Sequence, residues 1–141
     1  GAHKVTLDPP LILAPLAGYT DRGFRGLIRQ MGGCGLVVTE MVSSEGLTRG
    51  SRFSKEIATV TSEERPVGIQ LFGSSSDRMA KAAQVVEESG ASIVDINMGC
   101  SVKKVLKGGA GAALLREPAL AEAVVRAAVE ASSVPVTPSP T

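Results

Sequence analysis

A short apolar run recurs along this chain, and each time it is followed by helix-forming sequence. The runs are residues 11–15 (LILAP), 36–40 (LVVTE), 67–72 (VGIQLF) and 93–98 (IVDINM). A fifth, 134–137 (VPVT), begins just before Pro138 and Pro140. The runs are nearly continuous rather than alternating, as in strands of a parallel sheet covered on both faces. Between them, residues 20–33 open on a Thr20 or Asp21 cap and close on Gly32-Gly33. Residues 76–89 place Met79, Ala82, Ala83 and Val86 on one stripe and stop at Gly90. Residues 118–132 start with proline and repeat apolar positions at 120, 124, 127, 128 and 131. The stretch 43–62 is polar and mixed, with room for one short helix after Ser44. The order βαβαβαβαβ demands a parallel sheet with right-handed crossovers, an α/β fold.

Two architectures share that order, an open doubly wound sheet and a (β/α)8 barrel. The polar residues choose between them. Ala17-Gly18, Thr39-Glu40, Gln70 and Asn97 to Cys100 stand at or near the carboxyl ends of four different strands, the way barrel enzymes distribute their chemistry. A nucleotide-binding open sheet concentrates its signal in the first βα turn, and no GxGxxG follows the first strand. A closed barrel takes about 200 residues or more. Residues 1–141 therefore read as a single domain, a partial TIM barrel of about four to five βα units. The open edges this leaves are expected to drive self-association, and the prolines after residue 137 to end the fold in a frayed, extended tail.

A formal charge of +1 removes any global electrostatic case for nucleic acid, so an RNA partner would be met by a local patch. The two cysteines, Cys34 and Cys100, form no CxxC pair. Neither a disulfide framework nor a metal site is expected, and a reduced, cytoplasmic setting fits. The one histidine, His3, reads as part of a cloning remnant, Gly1-Ala2-His3. No apolar run approaches the ~18 residues of a membrane span.

Cys100 is the residue to explain. It follows a strand, sits beside a glycine, and precedes Lys103, Lys104 and Lys107. A buried structural cysteine needs no such surroundings. With the lone histidine at the terminus, no Cys–His nucleophile is available, and a thiol, mostly protonated near pH 7, suits general-acid work better. The lysines can meet a phosphate backbone. Gln70 and Asn97 are amides within apolar strands and must find partners, either in the backbone or in a ligand. Glu40 can cap a neighbouring element or face the site. The segment 107–115 (KGGAGAALL) resembles a phosphate cradle but lacks GK[ST], and a flexible turn into a helix is the better reading.

The blocks APLAGYTDRGFR, EMVSSEGL, PVGIQLFG, GASIVDINMGCSVKKV and GGAGAALLREP, in this order, resemble the tRNA-dihydrouridine synthase family, its bacterial members above all. The resemblance runs from about residue 9 to 137. It implies the N-terminal half of an FMN-binding (β/α)8 barrel, the C-terminal half-barrel and helical tRNA-binding domain lying outside residues 1–141. It also implies reduction of the uridine C5–C6 bond in tRNA, with NADPH as reductant. By position, Pro15, Leu16 and Ala17 would line the flavin through backbone groups and Gln70 would hydrogen-bond its ring. Asn97 would seat the base, Lys103 and Lys104 would meet RNA, and Cys100 would deliver a proton to C5. The base would be flipped out of its stack to get there. Two positions depart from the family: Ser101 stands where it has proline, and Ser139 where it has a flavin-contacting lysine. The chain by itself is expected to bind FMN weakly and to be weakly active or inactive. Two other readings compete. One is a catalytically dead half-barrel that binds RNA or self-assembles. The other is a dihydroorotate-dehydrogenase-like reductase of a free pyrimidine, against which NMGC with the adjoining lysines argues.

Overall fold

In the computed structural model, which describes residues 4–140, the expected order of elements is present. His3 and Thr141 lie outside those residues. The strands are β1 (Ile12–Leu13), β2 (Leu36–Val38), β3 (Val42–Ser43), β4 (Val67–Phe72), β5 (Ile93–Asn97) and β6 (Val136–Ser139). The α-helices are α1 (Arg22–Met31), α2 (Ser44–Thr48), α3 (Arg52–Ile57), α4 (Ser76–Glu88), α5 (Lys103–Lys107) and α6 (Pro118–Ala131). The strands form one parallel sheet in the order β1-β2-β4-β5-β6, a half-barrel of five strands. β3 re-joins β4 beyond β2, with Val42 opposite Leu71 and Ser43 opposite Phe72.

Side chains alternate across each strand, and this sheet uses the two faces differently. Ile69 and Leu71 of β4, and Val94 and Ile96 of β5, point outward into the main core. There they meet the α4 stripe Met79, Ala82, Ala83 and Val86, all fully buried, and Val124 and Ala128 of α6. Each large aliphatic side chain so buried contributes about 1.5–3 kcal/mol, and small Ala residues let α4 lie close on the sheet. A second, smaller cluster of Leu36, Val38 and Ile93, backed by Val5 and Leu7, plugs the amino end of the concave face. The apolar runs are continuous because their residues supply both clusters.

The segment 43–62 is more structured than its polarity implies. Ser43 caps α2 by accepting from the Gly46 amide, Ser51 caps α3 by accepting from Ser54, and a 3-10 turn follows at Ser62–Glu64. That turn exists to deliver Glu64. Its carboxylate accepts from Arg25 Nε of α1 at 2.7 Å, and the side chains are only 3% and 2% exposed. The same guanidinium donates to the carbonyls of Thr20 (2.8 Å) and Thr59 (3.2 Å), so the buried charge is well paired. One turn on, Arg29 donates to the carbonyls of Cys34, Gly35, Glu64 and Pro66. It ties α1 to the loops entering β2 and β4.

The tail corrects the expectation of a frayed end. Val94 N–H donates to the Pro135 carbonyl at 3.0 Å and Met98 N–H to the Ser139 carbonyl at 2.7 Å. Residues two apart on a strand face the same way, so 135, 137 and 139 face β5, and Pro138 turns its N–H-less nitrogen away from it. An edge strand tolerates proline at that position. The strand also ends three residues later than its apolar letters, which stop at Val136.

Removing one member of a buried, hydrogen-bonded ion pair strands the other charge, at about 3–5 kcal/mol. Arg25→Ala is expected to lower unfolding stability by that order, read as a reduced urea midpoint. A loss below about 1 kcal/mol would show that water reaches Glu64.

Candidate active site

The carboxyl half of the concave face is polar. Gly68 and Gln70 of β4, Asp95 and Asn97 of β5, and Thr137 of β6 share that side. Register makes Gln70 and Thr137 the lateral neighbours of Asp95. Below them lies a mainly apolar cavity of about 360 Å³, lined among others by Ile12, Ala14, Pro15, Gly68 and Asp95.

From Asp95 and Thr137, which line this cavity, the polar side chains run on as one connected chain. Thr137 Oγ1 donates to Asp95 Oδ1 at 2.5 Å. Gln70 Nε2 donates to Asp95 Oδ2 at 2.6 Å, and Asn97 Nδ2 donates to Gln70 Oε1 at 3.0 Å. Asn97 Oδ1 then accepts from the backbone N–H of Cys100 at 2.9 Å and of Gly99 at 3.3 Å. That last pair of bonds is an Asx-type turn. It stops β5 and carries Cys100, half-buried, onto the rim. Gln70, Asp95 and Asn97 are themselves buried. Burial pushes the Asp95 carboxyl above the ordinary carboxylate range, and the hydrogen bonds from Thr137 and Gln70 pull it part of the way back.

The loop carrying Cys100 is braced from behind. The Cys100 carbonyl accepts from Ala112 N–H at 3.0 Å. Gly111 has φ +61°, and a Cβ there would come within 2.5 Å of the same carbonyl. The segment 107–115 turns at Gly108-Gly109 and then enters a helix, as the sequence reading expects. It is the end of α5 and a 3-10 helix, Gly111–Arg116, packed on the cysteine loop.

The loop after β1 is held in the same rigid manner. Thr20, fully buried, accepts from Leu16 N–H at 3.1 Å, and the amides of Tyr19 and Thr20 close on the Leu16 carbonyl. Gly18, at φ +81°, donates its N–H to Glu40 Oε1 at 2.5 Å. Glu40 is therefore a clamp between the ends of β1 and β2 rather than a helix cap. Pro15 lines the cavity, while Leu16 (54% exposed) and Ala17 stand on the rim. Beyond the rim lies a wider cleft of about 640 Å³, bordered by Ala17, Glu40, Phe53, Phe72, Val102 and Lys104. Lys103, Lys104 and Lys107 are exposed on α5. Cys34 lies elsewhere, its thiol against the Leu36 carbonyl at the amino end of β2.

This arrangement of a cysteine at the end of the fourth unit, an amide on the strand beside it and a proline loop on the first can be compared with known proteins. The sequence profile of the dihydrouridine synthase family matches residues 12–139. The chain belongs to the dihydrouridine synthase family. It is 48% identical over 132 residues to tRNA-dihydrouridine synthase B of Pseudomonas aeruginosa, covering 94% of this chain and 40% of that protein. It is 44% identical over 134 residues to probable tRNA-dihydrouridine synthase 1 of Synechocystis, covering 95% and 38%. To a probable tRNA-dihydrouridine synthase of Rhodobacter capsulatus it is 46% identical over 135 residues, covering 95% and 41%. The chain spans about two-fifths of the length of these relatives.

The structure brings Gln70, Asn97 and the Cys100 amide into one connected set. It places Pro15 at the cavity edge, and it sets Lys103 and Lys104 apart on the surface. Sequence reasoning passed over two members, Asp95 and Thr137. Asp95 carried a signal: a carboxylate inside an apolar strand, two residues from Asn97 and hence on the same face. Thr137 carried none, because its meaning depends on β6 pairing with β5. Among the described residues no three His, Cys, Asp or Glu cluster as metal ligands would, and no helix is long and apolar enough to cross a membrane.

The raised Asp95 titration has a sign that can be checked. The folded chain holds this proton more tightly than the unfolded chain does. The group's contribution to stability is therefore complete below the ordinary carboxylate range and is lost as pH rises through the folded value. Asp95→Asn lacks that loss. Its stability relative to the parent is expected to improve as pH rises from the ordinary carboxylate range through the folded value, by urea unfolding at each pH. A difference that stays flat or worsens would contradict the burial account.

Proposed function

We propose that this chain supplies the flavin-facing half of a site that reduces the C5–C6 bond of uridine in tRNA, with Cys100 as the proton donor. The observation that carries the reading is the Asn97–Cys100 turn. It holds a half-buried thiol at the carboxyl ends of the strands, on the turn that leaves β5. The relatives' names supply the substrate class, and the family resemblance supplies FMN as cofactor and NADPH as reductant.

The residues present suit the ring end of a flavin. The cavity has apolar walls, with a proline and small residues in its lining and the buried carboxyl of Asp95 beside them. Pro15, Leu16 and Ala17 would flank the ring and Gln70 would orient it, while Asn97 positions the base. No lysine or arginine lines the cavity, so the flavin phosphate would be held by groups outside it, and the 141-residue chain alone would hold FMN weakly. When bound, the flavin supplies the hydride. The chain's own task is to present a proton on Cys100 Sγ to C5 and to keep water from the reacting face. Lys103 and Lys104, exposed beside the rim, would meet RNA phosphates, and a base reaching the cavity would have to leave its stack. The reading places the protein in the cytoplasm, with tRNA.

In the full-length protein, Cys100→Ala is expected to reduce dihydrouridine formation by at least about 100-fold, the scale of general-acid contributions, while NADPH still bleaches the flavin absorbance. Persistence of uridine reduction would overturn the acid assignment. An RNA-binding half-barrel without chemistry would give no product from either form, and no bleaching.

β1 and β6 each have one strand neighbour among the described residues, and such edges pair with other chains. The isolated chain is expected to scatter light as a dimer or larger at tens of micromolar; a monomer would count against pairing through these edges.

A further inference from the structure

The side-chain chain that starts at the cavity has a direction, and the groups of fixed polarity at its two ends agree on it. Primary amides are ambiguous. Gln70 and Asn97 can each present oxygen or NH2 to a neighbour, so nothing intrinsic to either prefers the order seen. A carboxylate is not ambiguous. Ionised Asp95 can only accept, and it does so on both oxygens, from Thr137 Oγ1 on one side and Gln70 Nε2 on the other. Gln70 is thereby forced to turn Oε1 toward Asn97, which must donate through Nδ2. Asn97 is left with its oxygen toward the loop, where the N–H groups of Gly99 and Cys100 need an acceptor.

We infer that Asp95 is a positioning residue for Cys100: as an acceptor it holds Gln70 in the one orientation that matches the donors of the Gly99–Cys100 turn, and so supports the turn that seats the thiol. The inference rests on the reading of Cys100 as proton donor for its consequence in catalysis, but not for its test. No other titratable residue lines the cavity from β1, β2, β4 or β6. On the rim, Glu40 is engaged with Gly18 N–H.

The logic makes Asp95→Asn informative. The substitution is isosteric, so the core is kept, yet the new side chain can donate. If it offers its NH2 to Gln70, Gln70 turns its own NH2 to Asn97. Asn97 then turns its NH2 toward the Gly99 and Cys100 amides, donor against donor. The mismatch appears two side chains away from the substitution, at the cysteine turn. A purely structural role for Asp95 would instead loosen β5 around residue 95.

The test is hydrogen exchange and amide chemical shift by NMR on the 141-residue chain. In Asp95→Asn, the Cys100 amide is expected to lose about tenfold in protection, the scale of one hydrogen bond, while the strand amides of Val94 and Ile96 keep theirs. In the unmodified chain, the Cys100 amide shift and the Gln70 and Asn97 side-chain amide shifts should titrate together with the Asp95 carboxyl. Thr137→Val, which removes a bond that favours the carboxylate, should move all of those midpoints upward in step. Should Asp95→Asn not fold, the titration and the Thr137→Val shift decide alone. A Cys100 amide that ignores the Asp95 titration, or one that changes only along with the whole of β5, overturns the inference. Failure of the catalytic reading would show separately, as uridine reduction that survives Cys100→Ala.

Discussion

Asp95 stands between Gln70 and Thr137 because β5 runs between β4 and β6 in a register that puts the three side by side, and most of what is distinctive about the site follows from that contact. A carboxylate in a half-barrel interior is costly unless its oxygens are occupied. Here they are, by a hydroxyl from one neighbouring strand and an amide from the other. Both the burial that raises its proton affinity and the order of donors leading to Cys100 depend on those two contacts. Without β6 the first partner is missing, which gives the proline-containing edge strand a chemical as well as an architectural role.

The same economy appears at the opposite end of the sheet. Arg25 and Arg29, one helical turn apart, reach from α1 into loops distant in sequence. They occupy backbone carbonyls that would otherwise be left without donors, and the one charge that is fully buried is matched by Glu64. Arginine suits this work because its planar fork carries five donors and stays charged. The amino-terminal rim is thus built for stability, with an arginine bracket and an apolar plug. The carboxyl-terminal rim carries Gln70, Asn97, Glu40 and Cys100, as barrel folds in general divide the two ends.

Much of the fold was legible in the letters. The α4 stripe of Met79, Ala82, Ala83 and Val86 reads directly as a buried helix face, and all four are fully buried. β4 and β5 begin where their apolar runs begin. The less legible parts share a cause. β3, α3 and the turn that presents Glu64 lie in polar sequence, and they form because serine caps and a buried ion pair hold them, which periodicity does not register. β6 ends on Thr-Pro-Ser, a poor strand by composition, and is a strand because β5 offers it a partner and Pro138 happens to face away.

The residues of the site divide along the same line. Cys100, Gln70 and Asn97 stand out in the sequence because a thiol beside glycine and amides inside apolar strands are chemically out of place there, and local context is enough to reveal a misfit. What Asp95, Thr137 and Glu40 do could not be read that way, since each acquires its role from a neighbour about 22 to 42 positions away. The chain's letters determined which strands and helices form and which side chains needed a reason to be buried. Only the tertiary structure, by setting the register between strands, decided which donor meets which acceptor, because hydrogen bonds are short and directional while sequence patterns record only the face a side chain occupies.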